Sequence, residues 1–411
     1  MYRLKELLRR FAQNSDYGKK LWTFLVKMKQ IVHNDRNFRR LPRNMTVAQF
    51  IEQLNRKGCR YVILRWFEDL PHVEYGGDID LLVHDDDAAI LDSILTWSPR
   101  KGGIPCDVYS VSGLPSYSFK EIAYYPPVVA QQLLERSAEH ESGAKVPSEN
   151  DYFYSLVFHA LYHKGYESGL SEDGIQAPKV SDPGHDFQTV LAEMAKKQGV
   201  AVDINMKALD ALLEEKGWKP TLDMLEKLGQ DNEWCAKLAN DILKDMPEVP
   251  GLAVFIIREA AASPADEQKV KEELEKHGFQ LIRSKKLNGY EKQHAAQQLR
   301  GGNWGEKSSV LSGGLPATFV AAIDLDPIEP SIELKNKYPL LDNRRIADVK
   351  KDMREKFFKN IIHSSDSARQ AAHYLETVMP DEMNEVLDAA RKKLAKGQNA
   401  PAGVLLEKTM H

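Results

Sequence analysis

The stretch Gly76-Gly77-Asp78-Ile79-Asp80-Leu81-Leu82-Val83 constrains this chain more than any other. Successive side chains of a strand point to opposite faces, so Asp78 and Asp80 share one face while Ile79, Leu81 and Val83 share the other. The apolar face can anchor the strand in a core and hold both acids still. Two fixed carboxylates on one face make a site for Mg2+. A further acid, Asp107, lies in the strand-like run Cys106-Asp107-Val108-Tyr109-Ser110-Val111, where Cys106 and Val108 are expected to face the core. Three carboxylates are then expected to converge on one or two metal ions. The competing reading is an ordinary solvated turn, and the unbroken apolar run after the acids argues against it.

Over residues 45 to 112 this arrangement resembles the DNA polymerase β-like nucleotidyltransferase superfamily, with its Gly-Gly or Gly-Ser element, its Asp-x-Asp strand and a third Asp on a later strand. The resemblance implies that Asp78 and Asp80 ligate two Mg2+ ions that grip a nucleoside triphosphate, and that Asp107 helps to activate an attacking hydroxyl. It also implies that Gly76 and Gly77 lie against the nucleotide. The family carries its Gly-Ser pair after an earlier strand, whereas here Tyr61-Val62-Ile63-Leu64 runs into Arg65-Trp66. Arg65 is therefore expected to bind the triphosphate as a charged fork and to steady the leaving diphosphate.

A chain of 411 residues is long enough for two or three domains, and its 42% hydrophobic and 28% charged composition reads as globular and soluble. No apolar run approaches the roughly 18 residues needed to cross a bilayer, and no secretory signal is visible, so a cytoplasmic location is expected. Three widely spaced cysteines, Cys59, Cys106 and Cys235, argue against a disulfide framework or a cysteine zinc site. Residues 1–43 hold twelve Lys/Arg against three Asp/Glu, a local +9 in a chain of net charge -4, so the remainder carries -13. Leu4, Leu7, Leu8 and Phe11, and then Leu21, Leu25 and Met28, fall at helical spacing and predict basic amphipathic helices. Docking of their apolar stripe on the catalytic domain is the first expectation and peripheral contact with a membrane surface the second. Nucleic acid is the least expected partner, because the acidic remainder repels phosphates.

The expected fold class is α/β and α+β multidomain: a small nucleotidyltransferase α/β domain over 44–120, a helical domain over 121–246, and a third domain over 250–380 with a helical or flexible tail at 381–411. The first has strands at 61–65, 79–84 and 106–111 and helices near 47–57 and 86–97. Helical spacing dominates 128–139, 149–164 and 186–197 and continues between Met206 and Lys244, around a Gly/Ser/Pro-rich loop at 165–185. His159 and His163 stand at i, i+4 on the helix Asp151 to Lys164, a spacing open to metal binding. The surrounding Tyr152, Phe153, Phe158 and Tyr162 favour a packed aromatic helix instead.

After Pro250 come the strand Leu252–Arg258, a charged helix from Asp266 to His277, the strand opening Gly278-Phe279-Gln280-Leu281-Ile282, a strand Ala317–Ile323 and the segment Asn360-Ile361-Ile362-His363-Ser364-Ser365-Asp366-Ser367. Over about 250–380 this resembles nucleoside diphosphate kinase, whose ferredoxin-like domain carries Asn-Ile-Ile-His-Gly-Ser-Asp-Ser around a nucleophilic histidine. The resemblance makes His363 the equivalent of that nucleophile. It sets Arg258 at a phosphate-contacting lysine, Lys350 at a phosphate-binding arginine and Tyr374 at the glutamate that orients the histidine. Trp304, in the run 288–314 that replaces the family's base-binding loop, is expected either to stack on a base or to plug a hydrophobic hole. Arg344, Arg345 and Arg354 are further cationic candidates. Asp324-Leu325-Asp326 alternates like the first pair but runs into Pro327, so it reads as a loop opening.

The function expected is Mg2+-dependent transfer of an NMP group from an NTP to a hydroxyl acceptor, with a nucleotide-binding kinase-like domain. Two alternatives stand beside it: phosphoryl transfer through His363, and a nucleotide-binding regulatory protein without catalysis. The acceptor is not written in the sequence, although the basic N-terminus leans toward a glycan precursor. The kinase resemblance also raises a homo-oligomer.

Overall fold

A computed structural model describes residues 39–74, 76–97, 103–180, 184–299, 304, 313–357 and 359–398. The predicted basic helices before residue 39, the glycine-rich run around Trp304 and the last thirteen residues lie outside the described residues. The chain is mixed α/β with several small sheets, and its contacts divide it into two compact units, one up to Lys237 and the other from Leu238.

The first unit is built on a three-stranded sheet. Helix α1, Val47–Arg56, opens on a capping box in which Thr46 accepts from the Gln49 amide and Gln49 returns a bond to Thr46. It buries Val47, Phe50, Ile51 and Leu54, one helical stripe. After the short β1, Arg39–Arg40, the sheet strands are β2 (Tyr61–Ile63), β3 (Ile79–Val83) and, beyond helix α2 (Ala88–Ile94) and the short β4 (Thr96–Trp97), β5 (Cys106–Ser110). Their spatial order is β2-β3-β5, with β2 antiparallel and β5 parallel to the central strand. A parallel pair needs a crossover, and α2 supplies it.

Ile79, Leu81, Val83, Cys106 and Val108 lie in one apolar core with the stripe of α1. This is the face that the alternation predicts. The opposite face is covered as well, since Leu82 and Tyr109 are buried. Helical structure follows: α3 (Pro127–Glu135), the hairpin β6 (Ala138–Glu139) and β7 (Lys145–Val146), α4 (Glu149–Phe158), α5 (Phe187–Gln198), α6 (Met206–Glu215), α7 (Leu222–Leu228) and α8 (Glu233–Lys244), within which the first unit ends. The helix expected to run unbroken to Lys164 leaves α geometry at Phe158 and continues as a π turn over His159–Lys164. His159 and His163 therefore do not share the i, i+4 face of an α-helix, and their Nδ1 and Nε2 atoms meet the Tyr124 hydroxyl and the Tyr124 carbonyl instead of a common point.

In the second unit a four-stranded antiparallel sheet has the order β11-β8-β10-β9. Its strands are β8 (Leu252–Arg258), β9 (Phe279–Lys286), β10 (Pro316–Asp324) and β11 (Ile362–Ser364). Between and after them come α9 (Pro264–Lys276), α10 (Gly289–Gln298), α11 (Ile332–Lys337), α12 (Arg344–Phe357), α13 (Ala368–Val378) and α14 (Met383–Gln398). Strands β8 and β10 are buried along their whole length because both faces are covered. Val254 and Ile256 pack with α10, α13 and α14, while Phe255 and Ile257 pack with α9 and α12.

Leu81 has no exposed surface and lies at the centre of the first core. Leu81→Ala is expected to cost about 2–5 kcal/mol in urea unfolding, through a cavity beneath Asp80. An unchanged midpoint would show that the strand is not held from this side.

Candidate functional site

Parallel pairing of β3 and β5 puts Asp80 opposite Asp107, with Asp78 two residues earlier in the same chain. One carboxylate oxygen from each of the three lies within 4.8 Å of the others. Asp80 is buried, Asp107 half-buried and Asp78 exposed, so the cluster opens outward from the sheet. An all-oxygen donor set suits a hard cation such as Mg2+.

The details of Asp80 bear on that fit. Its Oδ2 sits 2.7 Å from Arg65 Nη2, and its Oδ1 is buried with no hydrogen-bond partner. A buried carboxylate oxygen without a donor is costly, and a cation would satisfy it. Burial pushes the Asp80 carboxyl up to about 7; the Arg65 charge opposes the shift, and Asp78 and Asp107 add to it.

Arg65 is held on both sides. Its Nη1 donates to the Tyr124 hydroxyl at 3.0 Å, and its side chain is 10% exposed. Burial works against its charge, but the Tyr124 and Asp80 side chains outweigh burial and keep it protonated. Tyr124, having accepted from Arg65, has its own proton to give to His159 Nδ1, 2.8 Å away. That assignment leaves His159 a neutral imidazole protonated at Nε2. It agrees with burial and the Arg65 charge driving the pKa of His159 well below its ordinary value. Arg65 is therefore an internal partner of Asp80 and Tyr124, 10% exposed, and the expectation that its fork is free to grip a triphosphate is corrected to that of a buried partner of the trio.

Gly76 adopts φ +91, a left-handed conformation that favours glycine, while a Cβ at Gly77 would press at 3.2 Å on Val73 and on the Glu74 carbonyl. Both glycines thus serve the turn into β3. Trp66 also lies at positive φ, 53°, the backbone twist that turns its indole outward next to an inward Arg65. The indole stacks on the His185 ring at 4.5 Å and 16°. His185 is lowered by burial and by the nearby Lys164 and Arg65 charges, with Asp78 acting the other way. Lys164 is also close enough for its charge to favour ionised Asp80.

Sequence reasoning missed Tyr124, Lys164 and His185. Their only signals are a Tyr-Tyr pair, a Lys-Gly helix end and a His closing a loop, all of them common.

No family model, curated protein or solved structure matches this chain.

In the second unit His363 on β11 pairs with Ile256 of β8 and is buried. Its Nε2 lies 2.8 Å from the Tyr374 hydroxyl, and the Trp304 ring meets it edge-on at 5.3 Å. The Arg258 guanidinium lies 4.4 Å above that indole. Trp304 has no exposed surface and donates its indole N–H to the Leu299 carbonyl at 2.7 Å. It fills the core, and of its two expected roles base stacking is the one the packing excludes.

The remaining cations each have a partner of their own. Arg345 pairs with Asp324, whose amide bonds Gly251 at the start of β8, some five residues or about 16 Å along the strand from Ile256. Arg344 pairs with Asp348 and Arg354 bonds Asn360. Lys350 stands 3.5 Å from Asp366. Arg345 and Asn343 together occupy the Asp324 carboxylate, which accounts for it as a structural acid.

The Arg65–Asp80 pair yields a pH-dependent expectation. Asp80 in the folded chain has a pKa above its unfolded value of about 3.9, so its contribution to stability improves as pH falls through 7 toward 4. Arg65→Ala raises the folded pKa further and leaves a buried charge unpaired. Its loss of stability is expected to be about 3–5 kcal/mol at pH 8 and clearly smaller at pH 5, where Asp80 is protonated. Chemical denaturation at the two pH values measures this, and equal losses would mean that the charge pair is not what Arg65 supplies.

Proposed function

We propose that the chain is a Mg2+-dependent nucleotidyltransferase that moves an NMP group from an NTP to a hydroxyl acceptor at Asp78, Asp80 and Asp107. The observation that carries this reading is the meeting of three carboxylates from adjacent parallel strands, with the Asp80 Oδ1 buried and lacking a hydrogen-bond partner. The sheet order β2-β3-β5, with Asp-x-Asp on the centre strand and the third acid on its parallel neighbour, supports the resemblance to the DNA polymerase β-like superfamily. Under this reading the trio holds the metal, which supplies positive charge to the triphosphate and to the developing transition state.

The protein's own groups divide the work. Asp80 is fixed by Arg65 and by the core below β3, so one of its oxygens stays aimed at the site. Asp107, half-buried, is placed to take a proton from the acceptor hydroxyl. Arg65, Tyr124 and His159 form a hydrogen-bonded brace that keeps Asp80 in position.

For the second unit we propose the ferredoxin-like arrangement of the nucleoside diphosphate kinases. The support is a strand order that reads fourth, first, third, second in chain sequence, all antiparallel, with helices in the crossovers. Its histidine is held by a phenol where a carboxylate would stand. A neutral phenol offsets an imidazolium charge poorly, which favours nucleotide binding over phosphoryl transfer.

Two outcomes test these assignments. Asp78→Asn and Asp107→Asn are each expected to lower NMP transfer from labelled NTP by about a hundredfold or more while preserving the circular dichroism of the wild type. Transfer that survives both changes would remove the trio from the chemistry. With γ-labelled ATP, the wild type is expected to gain no acid-labile label; label that disappears in His363→Ala would make phosphoryl transfer the activity of the second unit.

A further inference from the structure

We infer that the second unit carries a transition-metal site, built by Glu273 and His277 of α9 and Asp352 of α12, which takes Zn2+ and fastens the two helices together. It lies in a different unit from the acid trio and does not rest on the nucleotidyl-transfer reading.

Both helices cover one face of the four-stranded sheet. Val270 and Leu274 of α9 and Val349 and Met353 of α12 share a core with Phe255 and Ile257, and that packing fixes the seam between the helices. Residues four apart stand on one helix face, so Glu273 and His277 line the seam from α9, and Asp352 and Lys356 from α12. Across the seam His277 Nε2 lies 3.1 Å from Asp352 Oδ2; along its own helix it lies 3.4 Å from Glu273 Oε1. One ligand atom from each of the three residues is within 4.8 Å of the others. Two ligands of a tetrahedral zinc ion, each bonded at about 2.0–2.1 Å, are about 3.3 Å apart. The two contacts of the imidazole fall on either side of that value.

One imidazole nitrogen and two carboxylate oxygens suit Zn2+ better than the hard Mg2+. Three protein ligands leave a fourth position, and the side chains of His277 and Asp352, 19% and 35% exposed, open it to water. Neutral His277 and two carboxylates together carry two negative charges, which one Zn2+ cancels. His277 is also the C-cap of α9, where the helix dipole favours a cation. Lysines answer the same field: Lys356 pairs with Glu273 Oε2, and Lys276 lies 3.5 Å from Oε1. Lys356 can keep Oε2 and so orient the buried carboxylate while the ion takes Oε1. Lys276 is mostly exposed, and its return to water costs little.

The test is titration of the full chain with Co2+ and Zn2+ in excess Mg2+, which occupies sites made of oxygen ligands alone. The wild type is expected to bind one Co2+ with visible ligand-field absorption, to exchange it for Zn2+, and to unfold at a higher temperature with Zn2+ than after chelation. His277→Gln, whose amide can still donate to the carboxylates, is expected to lose the absorption and to bind Zn2+ about a hundredfold or more weakly. Asp78→Asn, in the first unit, is expected to bind both ions as the wild type does. Equal absorption and Zn2+ affinity in the wild type and His277→Gln overturn the site. So does a wild type that binds neither ion, or a Co2+ signal that disappears in Asp78→Asn. If His277→Gln does not fold, Asp352→Asn decides by the same readings: lost absorption in the folded chain supports the site, and retained absorption overturns it.

Discussion

Asp80 and Arg65 form a buried ion pair at 2.7 Å, and much of the first unit is arranged to make that pair tolerable. Two charges removed from water cost several kcal/mol each unless their remaining donors and acceptors are met. Arg65 is met by Asp80 on one side and by Tyr124 on the other, and Tyr124 is met in turn by His159. The chain Asp80–Arg65–Tyr124–His159 runs from the central strand into the π turn. His163 stacks on the same tyrosine at 3.9 Å and reaches its carbonyl, so the helix end and the sheet share one polar and aromatic connection. A π turn is less favourable than continued α-helix, and here it sets two histidines around one tyrosine.

The sequence made the acid trio legible for a simple reason. Strand alternation is local, and the apolar partners Ile79, Leu81, Cys106 and Val108 fix which face the acids take. The pairing of Asp80 with Asp107 follows once β3 and β5 are neighbours. Arg65 was misread because its fate depends on Tyr124, fifty-nine residues away, and on burial beneath a helical segment that no local pattern reveals. The same limit applies to His185, whose ring meets the Trp66 indole only in the folded chain.

In the second unit the strand pattern was equally plain, because β8 and β10 are continuous apolar runs of the kind covered on both faces. The segment around His363 also carried its own signal. What the local pattern could not supply was the distribution of the arginines. Arg344, Arg345 and Arg354 looked interchangeable as cations, yet Asp348, Asp324 and Asn360 claim them one by one. Counting back and forth from the histidine did find Tyr374, since a helix immediately after β11 keeps the spacing rigid, and its hydroxyl does reach Nε2.

Charge balance at the trio sets a limit on the two-metal arrangement that the nucleotidyltransferase resemblance implies. Were all three carboxylates ionised, with the Arg65 cation fixed beside them and the Lys164 charge acting on Asp80, the site would carry close to one unit of net negative charge before any ligand arrives. One divalent cation reverses that sign. A second, brought into the same low-dielectric space, would meet repulsion from the first and from both side-chain cations, and at separations of about 4 Å such terms amount to several kcal/mol. A triphosphate removes the obstacle, because its negative charge offsets the additional cation. Under the proposed function this charge balance would favour one ion in the substrate-free chain and a second entering with the nucleotide. On that account the partly proton-occupied Asp80 is the expected state when no cation is present, as the buried carboxyl takes a proton near neutral pH in place of the ion.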